Sequence, residues 1–528
     1  MPTRSRRAAR PHRRFEGLVL SSEGKDARAR IRRALARAGA VGWQVAPLAP
    51  GAPFFVATPP GGQRVGTARA WDLVYRLRED RDIARAEPAF ETAGIDGEVD
   101  ARATRGRTFL SGGGRNTHPK ESDPHDWVIR KCRIDEAWQL AKGKGVRIAH
   151  PDTGYCDHPE LAFPPVCPKL GYDFFDDVPD PRDPLTKGEG HGTATASVIV
   201  SATQSGVIGA APEAELVPLR VDDDVVHWSW LELSRALYWA AAGGMPIASM
   251  SLGGPWSGAT LEDAVEHARK HGIIMVAAAG NKVGFVVYPA RLPAVIAVAA
   301  STVFDAPWAD TCRGPAVDIT APGASVWRAR SRPPGVFDVA RSDGTSYATA
   351  TTAAVCALWL AHHGGFAALA RTYGIEGVAG VFKEALLATA RAPKGWDRAT
   401  MGAGIVDARA LLERVPPSHA PARGVRASGQ HPAAQTPWER IAAYFPDAEP
   451  DRVRGKVRAL LRPGGRRPLR EADLAPFADE IVFQVATDPA LRAAIAARLH
   501  PKRGVKRAAA RPMPWSGVSR GLARAVAG

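Results

Sequence analysis

Three short segments, in one order along the chain, constrain it more than any other feature. They are Pro-Asp-Thr-Gly at 151–154, Gly-His-Gly-Thr at 190–193 and Gly-Thr-Ser-Tyr-Ala at 344–348. Each sets one reactive side chain (a carboxylate, an imidazole, a hydroxyl) beside glycine and small residues. Their flanks give them a structural setting. Val146-Arg147-Ile148-Ala149 reads as a short buried strand with Asp152 at its carboxyl end, where open α/β sheets place their sites. His191 opens a helical run over 192–199. Ser346 opens the Ala-rich apolar stretch from Tyr347 to Leu360, which reads as a central buried helix.

The residue types match one chemistry. A serine hydroxyl is too weakly acidic to attack a carbonyl unaided and needs a base within hydrogen-bond reach. Histidine takes and returns a proton near neutral pH, and a carboxylate behind it fixes the tautomer and stabilises the imidazolium. Asp, His, Ser is one of the few known chain orders for that geometry. A fourth element is the apolar strand Ile273-Ile274-Met275-Val276-Ala277-Ala278-Ala279, closed by Gly280-Asn281. An amide at a strand end can donate to an oxygen that becomes negative during acyl transfer. Read alone, Asn281 is an ordinary turn residue.

These segments resemble the subtilisin-like (subtilase) serine protease family, over roughly Trp127 to Leu412. Ser249-Met250-Ser251-Leu252-Gly253-Gly254, Tyr288-Pro289-Ala290, Ile319-Thr320-Ala321-Pro322-Gly323 and Gly402-Ala403-Gly404-Ile405-Val406-Asp407-Ala408 extend the likeness. The resemblance implies a three-layer α/β catalytic domain with a mostly parallel sheet between helices. It implies a serine endopeptidase that hydrolyses a polypeptide substrate through an acyl-enzyme on Ser346. Asp152, His191 and Ser346 would form the triad and Asn281 the oxyanion donor. Ser251, Leu252 and Gly253, with Ala278, Ala279 and Gly280, would flank the substrate pocket, and an extended peptide would add as a strand along 251–253. Two positions depart from the family: Pro151 stands where an aliphatic residue is usual, and Ala350 where proline is usual. They are the only sequence support for a catalytically silent binding or scaffold module. A peptide ligase or processing enzyme using the same acyl-enzyme is the other alternative.

The remaining chain divides by composition. Residues 1–14 form an Arg-rich arm read as disordered. Residues 15–91 read as a small α/β module resembling a subtilase propeptide, hence an intramolecular inhibitor; a permanent accessory domain is the alternative. Residues 92–124 have linker composition, with Ser111-Gly112-Gly113-Gly114 inside, and are where cleavage would fall. The peptidase domain spans 125–412, a second linker 413–436, a small helical module 437–500, with one of its helices read over 471–486, and a basic tail 501–528, also read as disordered. The net charge of +16 is uneven: residues 123–412 carry 26 basic and 31 acidic side chains, so the flanks hold all the excess. Basic flanks suit nucleic acid or an anionic surface, but without interleaved aromatics solvated arginine is the preferred reading.

Five cysteines form no framework, although Cys156 and Cys167 bracket a Pro-rich loop and could pair. The acidic runs Asp173-Asp176-Asp177-Asp180-Asp183 and Asp222-Asp223-Asp224 could hold a structural calcium. A solvated loop is the commoner explanation, so no metal ligand is assigned and no cofactor is required. His158, His227, His267 and His271 read as surface or loop residues. No run of 18 apolar residues suggests a membrane span. No signal-peptide core follows Met1, which makes cytoplasmic residence the default expectation, with export left open.

Overall fold

The structure, a computed structural model, describes residues 17–90, 125–417, 436–499 and 518–527. Short breaks fall at 64, 163–165, 187–188, 203–205, 228, 334, 443, 446–447 and 462–469. The expected arm at 1–14, and most of the linkers and of the basic tail, lie outside the described residues.

The N-terminal module is a βαββαβ unit: β1 (Gly17–Ser21), a helix (Ala27–Arg37), β2 (Gln44–Pro47), β3 (Phe54–Thr58), a helix (Thr67–Arg78) and β4 (Arg85–Ala89). Its antiparallel sheet has the order β2-β3-β1-β4. Strand alternation divides its core: Leu18 and Leu20 face the module's own helices, while Val19 faces the opposite way.

The catalytic region is built on seven parallel strands: β5 (Arg147–Asp152), β6 (Tyr172–Asp173), β7 (Glu215–Arg220), β8 (Ile247–Met250), β9 (Ile274–Ala278), β10 (Val295–Ser301) and β11 (Ile319–Pro322). Their order is β11-β10-β9-β8-β5-β7-β6. The central strands are apolar throughout because both faces are covered. Ile148, Ile247, Val276 and Ile296 face the helix Thr345–His362, while Ala149, Ala248, Ala277 and Ala297 face the layer containing helices Leu231–Ala242 and Ala259–Lys270. Helix Thr345–His362 is buried from Thr345 through Leu360, threonines included. Burial is tolerated because Thr349, Thr351 and Thr352 donate to carbonyls one turn back, at 2.8–3.0 Å.

The two departures from the family pattern leave this frame intact. The carbonyls of Val146 and Asp152 accept from Glu215 and Val221, so even positions of β5 bond toward β7. Pro151 therefore faces the β8 side, where the ladder ends at Ala149, and its missing N–H costs no ladder bond. Ala350 lies within an unbroken 18-residue helix.

The C-terminal helices are Pro437–Ala442, Pro450–Leu461, Glu471–Leu474, Ala478–Thr487 and Pro489–Leu499. A single helix expected over 471–486 is interrupted by a 3-10 turn at Ala475–Phe477, where Pro476 lacks a donor. The basic tail also departs from expectation, since Arg520–Ala527 is helical with Leu522 buried. The Ser519 hydroxyl starts this helix by accepting the Leu522 N–H (3.0 Å).

The N-terminal module lies between the other two regions. Val19, Leu48, Phe54 and Ala89 pack against the Leu231–Ala242 and Ala259–Lys270 layer. Glu87 accepts the N–H groups of Ala259 and Thr260 and the Thr260 hydroxyl at the start of helix Ala259–Lys270, a place where a carboxylate is favoured. Its helical side shares one core with the C-terminal helices. Phe90 stacks on Phe483 with ring centroids 4.2 Å apart, and Trp71 and Trp256 meet the same ring. All five cysteines are free thiols, so the Cys156–Cys167 bridge is not formed. Among the described residues no single helix is long and apolar enough to cross a membrane.

Candidate active site

Asp152 ends β5 and is buried. Its Oδ1 accepts the Thr153 N–H at 2.8 Å and lies 2.7 Å from His191 Nδ1. His191 begins its helix after Gly190, which is left-handed at φ 68°. A Cβ at Gly192 would sit 2.0 Å from the Gly154 carbonyl oxygen, so only glycine lets the His191 helix dock on the loop after Asp152. Thr153 ties the two together: its hydroxyl accepts the Gly192 N–H (3.0 Å) and donates to Asp183 (2.8 Å). Burial disfavours the charged form of each partner, and their mutual attraction outweighs it. His191 is held above the usual imidazole range and Asp152 below the usual carboxylate range. An imidazole anchored at Nδ1 keeps Nε2 for proton transfer.

Ser346 lies in the first turn of its helix. Its hydroxyl donates to the Ser251 carbonyl (3.3 Å), and the Ser251 hydroxyl donates to the Ser346 carbonyl (2.9 Å). Asn281 is exposed at the end of the β9 segment. Its Oδ1 accepts both the N–H (3.0 Å) and the hydroxyl (2.9 Å) of Thr345. That double anchor turns Nδ2 away from the helix backbone as an available donor. Thr345 Oγ1 also accepts the Gly280 N–H at 3.2 Å. Thr345 thus joins the strand end carrying Asn281 to the helix carrying Ser346.

The expected pocket segments converge here. Ala279 is fixed by its N–H to the Val298 carbonyl and by accepting from Val287, both within 3.0 Å. Val287 fills the space between the two segments, since a Cβ at Gly253 or Gly280 would approach its side chain to 2.4 or 2.9 Å. Cys312 Sγ donates to the Val283 carbonyl and pins the same loop.

The edge expected to receive a peptide is already paired within the chain. Gly253 donates to the Val225 carbonyl and accepts the His227 N–H, each at 2.9 Å, in a parallel bridge at Val226. The next residue, Gly254, pairs the opposite way with Tyr288, so Gly253 and Ser251 open toward the same side. The loop is held down at its base, where Asp222 accepts the Asp223 and Asp224 N–H groups and Asp223 pairs with Arg220. His227 is buried against Trp230, and burial pushes its pKa down to about 4; His158 is buried too. Both were expected as surface or loop residues, and both lie in loops, though buried ones.

Three carboxylates of the acidic runs are gathered by an internal cation. Arg220 is fully buried and pairs with Asp173 (2.6 Å), Asp176 (2.7 Å) and Asp223. Among the described residues no cluster of three or more His, Cys, Asp or Glu side chains is placed to hold a metal. Carboxylates turned onto a guanidinium do not fit a calcium site. Sequence reasoning missed Thr153, Thr345 and the Val225–His227 segment, whose roles depend on partners distant in the chain.

Known proteins resemble this chain in sequence and fold. The pattern of the Subtilase family matches residues 143–404. Thermitase of Thermoactinomyces vulgaris is 35% identical over 233 residues, covering 43% of this chain and 80% of thermitase. Subtilisin Savinase of Lederbergia lenta is 38% identical over 235 residues, 44% of this chain and 82% of that protein. The crystal structure of fervidolysin from Fervidobacterium pennivorans, described as a keratinolytic enzyme related to subtilisin, aligns at a TM-score of 0.57 and 21% identity. It covers 76% of this chain and 62% of that one, which supports the fold. The chain belongs to the subtilase (peptidase S8) family of serine proteases.

Proposed function

We propose that the chain is a serine endopeptidase acting through an acyl-enzyme on Ser346. The observation that carries this reading is the 2.7 Å contact from His191 Nδ1 to Asp152, with Asn281 and Ser346 tied to one residue, Thr345. In the reaction His191 Nε2 takes the Ser346 proton as Oγ attacks the scissile carbonyl carbon. The oxyanion receives a hydrogen bond from Asn281 Nδ2. The proton then passes from Nε2 to the leaving amine, and water repeats the sequence to release the acid. A bound peptide N–H takes over the Ser251 carbonyl and so returns the Ser346 hydroxyl to the imidazole. The N-terminal module acts as an intramolecular inhibitor, a role supported by its seat between the catalytic region and the C-terminal helices.

Hydrolysis of internally quenched peptides by the purified chain, compared with Ser346→Ala, tests this reading. Turnover by the native chain alone supports it. Transfer to an added amine in preference to water would favour the ligase alternative, and no turnover by either folded protein would favour the silent scaffold.

A further inference from the structure

Two polar side chains that the proposed mechanism does not use lie directly behind the acid. His150 stands in the middle of β5, two residues before Asp152 and on the same side of the strand. Thr195 lies one turn after His191 on its helix. Both are fully buried. His150 Nε2 is 3.0 Å from Thr195 Oγ1, and Thr195 Oγ1 is 3.3 Å from Asp152 Oδ2. The same Nε2 lies 3.8 Å from Oδ2 itself. His150 Nδ1 has no partner among the described residues. An interior strand position thus carries an imidazole with one orphan nitrogen. Burying such a group is unfavourable unless its other nitrogen has a use.

Resting on the protease reading above, we propose that His150 is a positioning residue for the acid. In its neutral form, protonated at Nε2, it donates to Thr195 Oγ1, which frees the threonine proton for Asp152 Oδ2. The carboxylate is then held at both oxygens, Oδ1 by Thr153 and His191 and Oδ2 by Thr195. The other tautomer would draw the threonine proton to Nε2 and leave Oδ2 bare. Without the imidazole, Thr195 has the carbonyls of His191 (3.1 Å) and Gly192 (3.3 Å) as acceptors within its own helix. The charged groups facing His150 are Asp152 and His191, and burial keeps it below the usual imidazole range, which favours the neutral donor. His191 in turn faces Asp152, Asp224 and Arg328.

A carboxylate that loses its second donor attracts the imidazolium more strongly. Replacing His150→Val should therefore move the acid limb of the activity profile to higher pH by about half a unit. It should lower kcat several-fold and leave KM unchanged. His150→Gln, which can present an N–H at similar reach, should recover most of the wild-type profile. The same half-unit rise is expected in the His191 titration followed by NMR in a Ser346→Ala background, which needs no turnover. Thr195→Val should reproduce the shift and Thr195→Ser should not, which covers a His150→Val chain that fails to fold. A folded His150→Val or Thr195→Val protein whose His191 titrates as in wild type would overturn the proposal. If the native chain shows no hydrolase activity, the protease reading fails while this titration still decides the role of His150.

Discussion

Asp152, His191, Ser346 and Asn281 are held by contacts that radiate from one sheet, and each arises from a short glycine-flanked segment. Trp71, Phe90 and Phe483 share a core just as closed, yet they bring together the two ends of the chain. The site is fastened by directional bonds such as Thr345 to Asn281, in which a shift of an ångström matters. The N- and C-terminal contact is mainly apolar, bordered by polar ties from Tyr75 to Glu480 (3.0 Å) and from Arg78 to Asp479 (3.4 Å). The first region is organised for geometry. The second is organised for holding one module on another. Changes at the site should therefore abolish chemistry while sparing stability, and changes at the contact should do the reverse.

The largest expected effect is at the nucleophile. Ser346→Ala should lower turnover on the order of a millionfold with little change in Tm. Asn281→Ala should lower kcat by about 10²–10³-fold, or about 3–4 kcal/mol of transition-state stabilisation, again with the fold intact. Phe483→Ala should destabilise the terminal contact by about 3–5 kcal/mol. It should leave the intrinsic reactivity of Ser346 unchanged and make release of the cleaved N-terminal module faster, as gel filtration after cleavage would show. Smaller still is the replacement Val225→Gly, Val226→Ser, His227→Gly. By loosening the segment paired with Gly253 it should lower KM for extended peptides about tenfold, while labelling by a small phosphonate stays constant.

The two regions also differ in their response to pH. Asp152 is depressed, so the stability it contributes is present above the unfolded value and lost as pH falls through its folded pKa. His191 is raised, so its contribution is full below the unfolded value and lost as pH rises through the folded one. Activity, which needs neutral His191, should rise with pH through that folded pKa. At the terminal contact, Glu480 is pushed up by burial. Its protonated form favours the closed arrangement, which should weaken as pH rises from the ordinary glutamate range through its folded value. Thermal scans over that interval should show the contact loosening while the catalytic core holds.

The same contrast explains what could be read from sequence. Asp152 at a strand end and His191 and Ser346 at helix starts were legible because each segment carries its own glycines, caps and apolar run. So was the mixed α/β character of the N-terminal module, from short apolar runs between helical stretches. The union of Trp71 with Phe483 was not, because nothing local in either segment names a partner so far away in the chain. His150 and Thr195 escaped notice for a related reason, since each alone looks like an ordinary residue of a strand or a helix. Two local signals were available and unread: Pro476 inside an expected helix, and Ser519 opening the terminal one.

The most direct test of the account is intact-mass analysis of the full chain and its Ser346→Ala form after exposure to a fluorophosphonate, with peptide mapping of the adduct. The account predicts a single adduct on Ser346 of the native chain, none on the variant, and loss of an N-terminal fragment ending within 92–124 from the native chain alone. A folded native chain that takes up no phosphonate, or takes it up equally after Ser346→Ala, would contradict it.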